Sequence, residues 1–126
     1  MRLRSAPHEF RQFAHAVIDA VGWRKLTTGI EIRFVEKPGH TDHGPAMVGG
    51  VVYMMRPIWW EDMGAHSLAR TLLHEIQHVF DYRSGVFFEL TRDEAEERAQ
   101  KVEVLVSEEW ALGMAKACGL NIEFRG

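Results

Sequence analysis

The segment His74-Glu75-Ile76-Gln77-His78 has the pattern H-E-x-x-H. Two histidines four residues apart on a helix project from one face. Both imidazoles are then placed for a single zinc ion, and the intervening glutamate for activating the water that such an ion binds. A random chain of this length and His/Glu content contains the pattern about 0.04 times, so the match is suggestive by itself. Its surroundings add to it. At about 100° per residue, His74 and His78 fall within about 40° of each other, with Leu72, Ile76 and Val79 on the far side. One face of the helix is free for chemistry while the other packs. The plainer alternative is a pair of surface or hydrogen-bonded core histidines on an amphipathic helix.

A catalytic zinc takes three protein ligands and keeps one open position. Of the acids downstream, Glu94 has a structural duty, because Thr91-Arg92-Asp93-Glu94 fits a capping box with Thr91 as N-cap. Glu97 and Glu103 stand one residue and one heptad beyond Glu96. Glu96 has no such competing duty and opens Glu96-Glu97-Arg98-Ala99, where the small Ala99 lets two helices approach. Asp81 and Tyr82, three and four residues past His78, are expected on the metal side of the helix. Asp81 is an alternative ligand or a partner to one, and Tyr82 a candidate donor to a developing oxyanion, with ordinary packing the plainer role.

These motifs resemble the zincin metallopeptidases of the gluzincin branch, whose pattern is H-E-x-x-H followed by a glutamate on a later helix, often as E-x-x-A. The resemblance covers about residues 67–100. It implies His74, His78 and Glu96 as zinc ligands, Glu75 as general base, and a peptide or protein substrate. Two departures are visible. Many gluzincins carry an aspartate four residues after the ligand glutamate, where this chain has Gln100; an amide still accepts a hydrogen bond from an imidazole N–H but brings no charge. The segment after His78 lacks the third histidine of the metzincin pattern.

The elements that must hold these residues follow from hydrophobic spacing. Phe10, Phe13, Ala14, Val17, Ile18 and Val21 have helical periodicity, ending near Gly22. Gly29–Phe34 alternates as a half-buried strand, and 39–50 reads as a loop. Val51–Met55 reads as a second strand, on or near an edge because Pro57 follows. Gly64–Tyr82 is the helix with the motif, stopped by Ser84-Gly85. Val86–Leu90 is a short strand or packed loop. A third helix begins at Thr91 with Ala95, Ala99, Val102 and Val106 as its buried stripe, breaking near Ser107 or Gly113, and Leu120–Phe124 alternates as a last strand. The expected fold is α+β, a compact zincin-like domain over residues 1–126 with a small sheet, an active-site helix and a glutamate helix.

Composition limits the other readings. The chain has 126 residues, 15 Lys+Arg against 18 Asp+Glu and 46% hydrophobic positions, an ordinary globular balance. A formal charge of -3 with mixed signs gives no cationic face for nucleic acid. No apolar run is long enough for a membrane span, and the N-terminal residues lack a signal-like stretch, so a soluble, cytoplasmic protein is expected. Cys118 is the sole cysteine, which excludes an intrachain disulfide and a cysteine-based zinc finger.

Several further residues invite chemistry. His40-Thr41-Asp42-His43 has metal-binding composition but lies in a Gly/Pro-rich stretch that reads as a solvated loop. His8 and His15 read as surface positions. Upstream of the motif stand His66 and Arg70, the latter a candidate for holding a substrate carboxylate, with helix-surface charge the plainer role. Trp59, Trp60 and Trp110 are candidates for a pocket or for core, and the strand around Tyr53 is a candidate for pairing with an extended peptide. Two other functions stay open on the sequence: a catalytically inactive zincin-like interaction or regulatory module, and a hydrolase of non-peptide amides.

Overall fold

The computed structural model describes residues 1–4, 6–35, 46–48, 51–55 and 64–120. Their order is β1 (Arg2–Arg4), α1 (His8–Ala20), β2 (Glu31–Val35), β3 (Ala46–Val48), β4 (Val51–Met55), α2 (Ala65–Ser84), a 3-10 turn (Val86–Glu89), α3 (Arg92–Val102), a second 3-10 turn (Glu103–Leu105) and α4 (Glu108–Ala117). The architecture is α+β, helices packed with a small sheet of order β1-β2-β4-β3. β1, β2 and β4 run parallel, and β3 closes one edge antiparallel to β4, with Met47 opposite Val52. Parallel neighbours cannot be joined by a tight turn, and α1 supplies the crossover between β1 and β2.

Two strands depart from the expectation. β1 has three residues, too few for alternation to register, yet Leu3 is buried between the exposed Arg2 and Arg4. β3 falls inside the stretch read as a loop. Its presence makes β4 an interior strand, because β2 and β3 flank it on either side. β4 is thus near the edge rather than on it, and the idea that the strand around Tyr53 offers a free edge to a peptide is corrected: Tyr53 is paired with Arg33 on one side and Ala46 on the other. Val86–Leu90 is no strand; the residues wind into a 3-10 turn. The tail strand, the His40–His43 cluster and Trp59-Trp60 lie outside the described residues.

The helices form where their spacing predicts. The buried face of α1 is Phe10, Phe13, Ala14, Val17 and Ile18. It meets Leu68, Ala69, Leu72, Leu73, Ile76 and Val79 of α2 and Ile30, Ile32, Phe34 and Val52 of the sheet in one core cluster. α2 ends at Gly85, which takes φ 86°, a left-handed conformation that glycine adopts without penalty. α3 starts on the expected capping box. The Thr91 hydroxyl accepts from the Glu94 backbone N–H at 3.2 Å, and the Glu94 carboxylate accepts from the Thr91 N–H at 2.8 Å. The chain breaks at Ser107, whose hydroxyl caps α4 by accepting from the Trp110 N–H at 3.1 Å. Ala95 and Ala99 are buried as expected and Val102 is half-buried, while Val106, expected on the same helical stripe, is buried beyond the end of α3 and the 3-10 turn that follows it.

Candidate metal centre

α2 is divided lengthwise by its sequence. The apolar stripe just described faces the core, while Ser67, Thr71, His74, Glu75 and His78 recur at three-, four- and seven-residue intervals on another face. α3 lies against that face, and its buried Ala95 and Ala99 have no bulk to hold the helices apart. Glu96 then reaches both histidines. Its Oε2 lies 3.1 Å from His74 Nε2 and its Oε1 3.1 Å from His78 Nε2, and the two Nε2 atoms are 3.2 Å apart. Ligand-capable atoms of His74, His78 and Glu96 all fall within 4.8 Å of one another.

These separations can be compared with what a metal demands. Ligand atoms about 2.0–2.1 Å from a tetrahedral zinc stand about 3.3 Å apart along each edge. The 3.2 Å between the two Nε2 atoms is close to that edge, and each Nε2 has one Glu96 oxygen at 3.1 Å, a different oxygen for each. The donor set, two imidazole nitrogens and a carboxylate, is also one that zinc accepts. The residues present therefore fit such an ion.

Protonation works in the same direction. Glu103 Oε2 accepts from His74 Nδ1 at 2.8 Å, which puts the imidazole hydrogen on Nδ1 and leaves the Nε2 lone pair facing the cluster. Burial lowers the His78 pKa, against the opposing charge of Glu96, and so favours the neutral, ligating imidazole. His78 Nδ1 is buried and has no hydrogen-bond partner, so that side of the ring is held by packing alone. Phe87 stands beside it, ring centroids 6.4 Å apart.

Glu75 is held apart from these contacts. Burial raises its pKa; the His74 charge opposes the rise and the Glu96 charge adds to it, leaving the carboxyl pushed up to about 7. That value belongs to the metal-free chain; the positive charge of an ion held by the neighbouring residues would favour the carboxylate form, the form a general base needs.

Two sequence expectations are corrected here. Asp81 lies outside the His74–His78–Glu96 group. It is 1% exposed and receives Arg98 Nε at 2.9 Å, Arg98 Nη2 at 2.7 Å and the Gln77 amide at 3.0 Å. The Asp81 carboxylate thus bolts α2 to α3 through Arg98. Gln100 is exposed, and the partner of the His74 imidazole is Glu103, seven residues beyond Glu96. Seven residues are two helical turns, so both acids share one stripe; that spacing was the available signal. Tyr82 packs against Phe87 and Phe88, with centroids 6.2 and 5.3 Å away. His8 and His15 are exposed, Trp110 packs against the core, and His66 Nε2 pairs with the Val106 carbonyl at 3.0 Å. Among the described residues no helix is long and apolar enough to cross a membrane. Comparison of the chain with protein-family models, curated proteins and solved structures returned no match.

Proposed function

We propose that this chain is a zinc-dependent metallopeptidase of the gluzincin kind, acting on a peptide or protein substrate in the cytoplasm. The observation that carries the reading is the convergence of His74, His78 and Glu96 from two helices, with Glu75 beside them. His74, His78 and Glu96 would hold the ion. Bound there, zinc supplies Lewis acidity, polarising a carbonyl oxygen and making water a nucleophile near neutral pH. Glu103 orients His74, and the Asp81–Arg98 pair keeps the glutamate helix in register with the histidine helix. Glu75 takes the proton from the attacking water at its carboxylate and delivers it to the departing amine, so that one peptide C–N bond breaks as one C–O bond forms.

The test joins metal content to turnover. About one zinc per chain, lost in His78→Ala and Glu96→Ala, together with peptide hydrolysis that disappears in Glu75→Gln while zinc stays bound, is the expected result. Hydrolysis persisting in Glu75→Gln would overturn the role of Glu75. Zinc bound without hydrolysis of any peptide would replace the enzyme with a zincin-like interaction module.

A further inference from the structure

A cavity of about 280 Å³ opens beside the candidate metal centre, lined by Ser67, Arg70, Thr71, His74, Glu75 and Glu103. Arg70 is one helical turn before His74, so its Cα stands about 6 Å along the helix axis from that of the histidine. The two side chains share a face. Of the five guanidinium donors, Nη2 reaches the Ser67 hydroxyl at 3.3 Å, and Nε is buried with no hydrogen-bond partner. Among the described residues no carboxylate pairs with Arg70, and the neighbouring Glu103 carboxylate is turned to His74. A guanidinium so placed is a positive charge without an ionic partner among the described residues, at the wall of the cavity that also contains the reactive face. Its planar fork matches a carboxylate, and partial desolvation strengthens the attraction.

We propose that Arg70, with Ser67, forms a carboxylate-binding subsite, so that the substrates of this protein carry a carboxylate near the bond to be cleaved. The inference rests on the reading of the neighbouring residues as a peptidase centre. The carboxylate has two possible sources, the free C-terminus of a short peptide or an internal Asp or Glu side chain. Either would bind by the same charge-assisted hydrogen bonds to Arg70 and anchor the chain with its amide directed toward Glu75.

Two measurements test this separately from catalysis. In metal-free, isotope-labelled protein, the Arg70 Nε–H resonance, identified by its loss in Arg70→Met, is followed during titration with N-acetylalanine and, in parallel, with N-acetylalanine amide. A saturable shift with the acid and none with the amide is expected; no shift with the acid overturns the subsite, whether or not the protein hydrolyses peptides. The second measurement compares zinc-loaded protein on one peptide series, with free or amidated C-terminus and with Glu or Gln at each position in turn. A preference of about tenfold or more in kcat/KM for a carboxylate at one location, erased in Arg70→Met and partly kept in Arg70→Lys, is expected. A preference for the free acid identifies the C-terminus, and a Glu-over-Gln preference at one position identifies a side chain. Hydrolysis indifferent to carboxylates at every location overturns the inference while leaving the peptidase reading intact. Absence of hydrolysis, with the resonance shift present, overturns the peptidase reading and leaves the subsite standing.

Discussion

Glu103 Oε2 lies 2.8 Å from His74 Nδ1, on the side of the imidazole opposite the nitrogen that faces His78 and Glu96. An anionic acceptor there fixes the tautomer and would make the facing nitrogen a stronger donor to zinc. Glu103→Ala should therefore weaken zinc binding by about 10- to 100-fold, with Glu103→Gln between it and the unaltered protein, because an amide oxygen accepts the hydrogen bond without the charge. Competition with a chelator of known affinity reads this directly. Equal affinity in all three proteins would remove Glu103 from the site.

Glu75 predicts a pH dependence in the metal-free chain. Unfolded, it loses its proton near the ordinary value of 4.5; folded, it keeps it to about 7. The folded state thus binds more protons between those values, so the contribution of Glu75 is fully present below about 4.5 and is lost as pH rises through about 7. The loss is about 3 kcal/mol if the whole shift is realised. His78, whose folded pKa is lowered, acts in the opposite direction, so the difference between the unaltered protein and Glu75→Gln isolates the glutamate. Denaturant midpoints from pH 4.5 to 8 should show the stability of Glu75→Gln gaining on that of the unaltered protein as pH rises. Parallel curves would place Glu75 in water.

What could be read from the sequence is what has a local signal. The H-E-x-x-H spacing, the capping box at Thr91 and the apolar stripes of α1 and α2 each lie within a few helical turns, and each is present in the structure. The nearness of Glu96 to the histidines was implied by the gluzincin resemblance, and the small Ala99 agrees with the close approach of α3 that brings it there. What escaped depended on long-range pairing. β1 and β3 are three residues each and exist because β2 and β4 offer them partners, which no local pattern records. Asp81 has the spacing of a residue on the metal side, but Arg98 competes for it with two hydrogen bonds. Glu103, not Gln100, meets His74, because seven residues make two helical turns and bring Glu103 round to the stripe of Glu96, a repeat that the family's four-residue offset does not contain.

Thr91 gives a stability prediction whose effect should extend to the metal centre. Its hydroxyl and the Glu94 side chain satisfy two backbone donors at the start of α3, one turn before Glu96. Thr91→Ala should destabilise the chain by about 1 kcal/mol and Thr91→Ser by much less. Since fraying at the start of α3 moves Glu96 away from His78, zinc affinity should fall with the cap in Thr91→Ala. Thermal unfolding with and without zinc measures both, and an unchanged midpoint in Thr91→Ala would mean that the helix start is held by its packing on α2.

The Asp81–Arg98 pair predicts an asymmetry between its two halves. Burial pushes the Asp81 carboxyl up, but the hydrogen bonds from Arg98 and Gln77, with the Arg98 charge, outweigh that and hold it below the usual carboxylate range. The stability this supplies is present above the unfolded value near 3.8 and is lost as pH falls through the depressed folded value. Arg98→Met leaves an anionic oxygen pair buried with Gln77 alone, a loss of about 1–2 kcal/mol at pH 7 after allowance for the half-exposed guanidinium. Asp81→Asn removes the buried charge along with the pair, so it should cost less than Arg98→Met, and the double variant should cost less than the two single changes combined. Chemical unfolding of the four proteins at pH 7 and pH 3.5 decides it. Strict additivity at both pH values would mean that the two side chains do not couple and that α3 is held to α2 by apolar packing around Ala95 and Ala99.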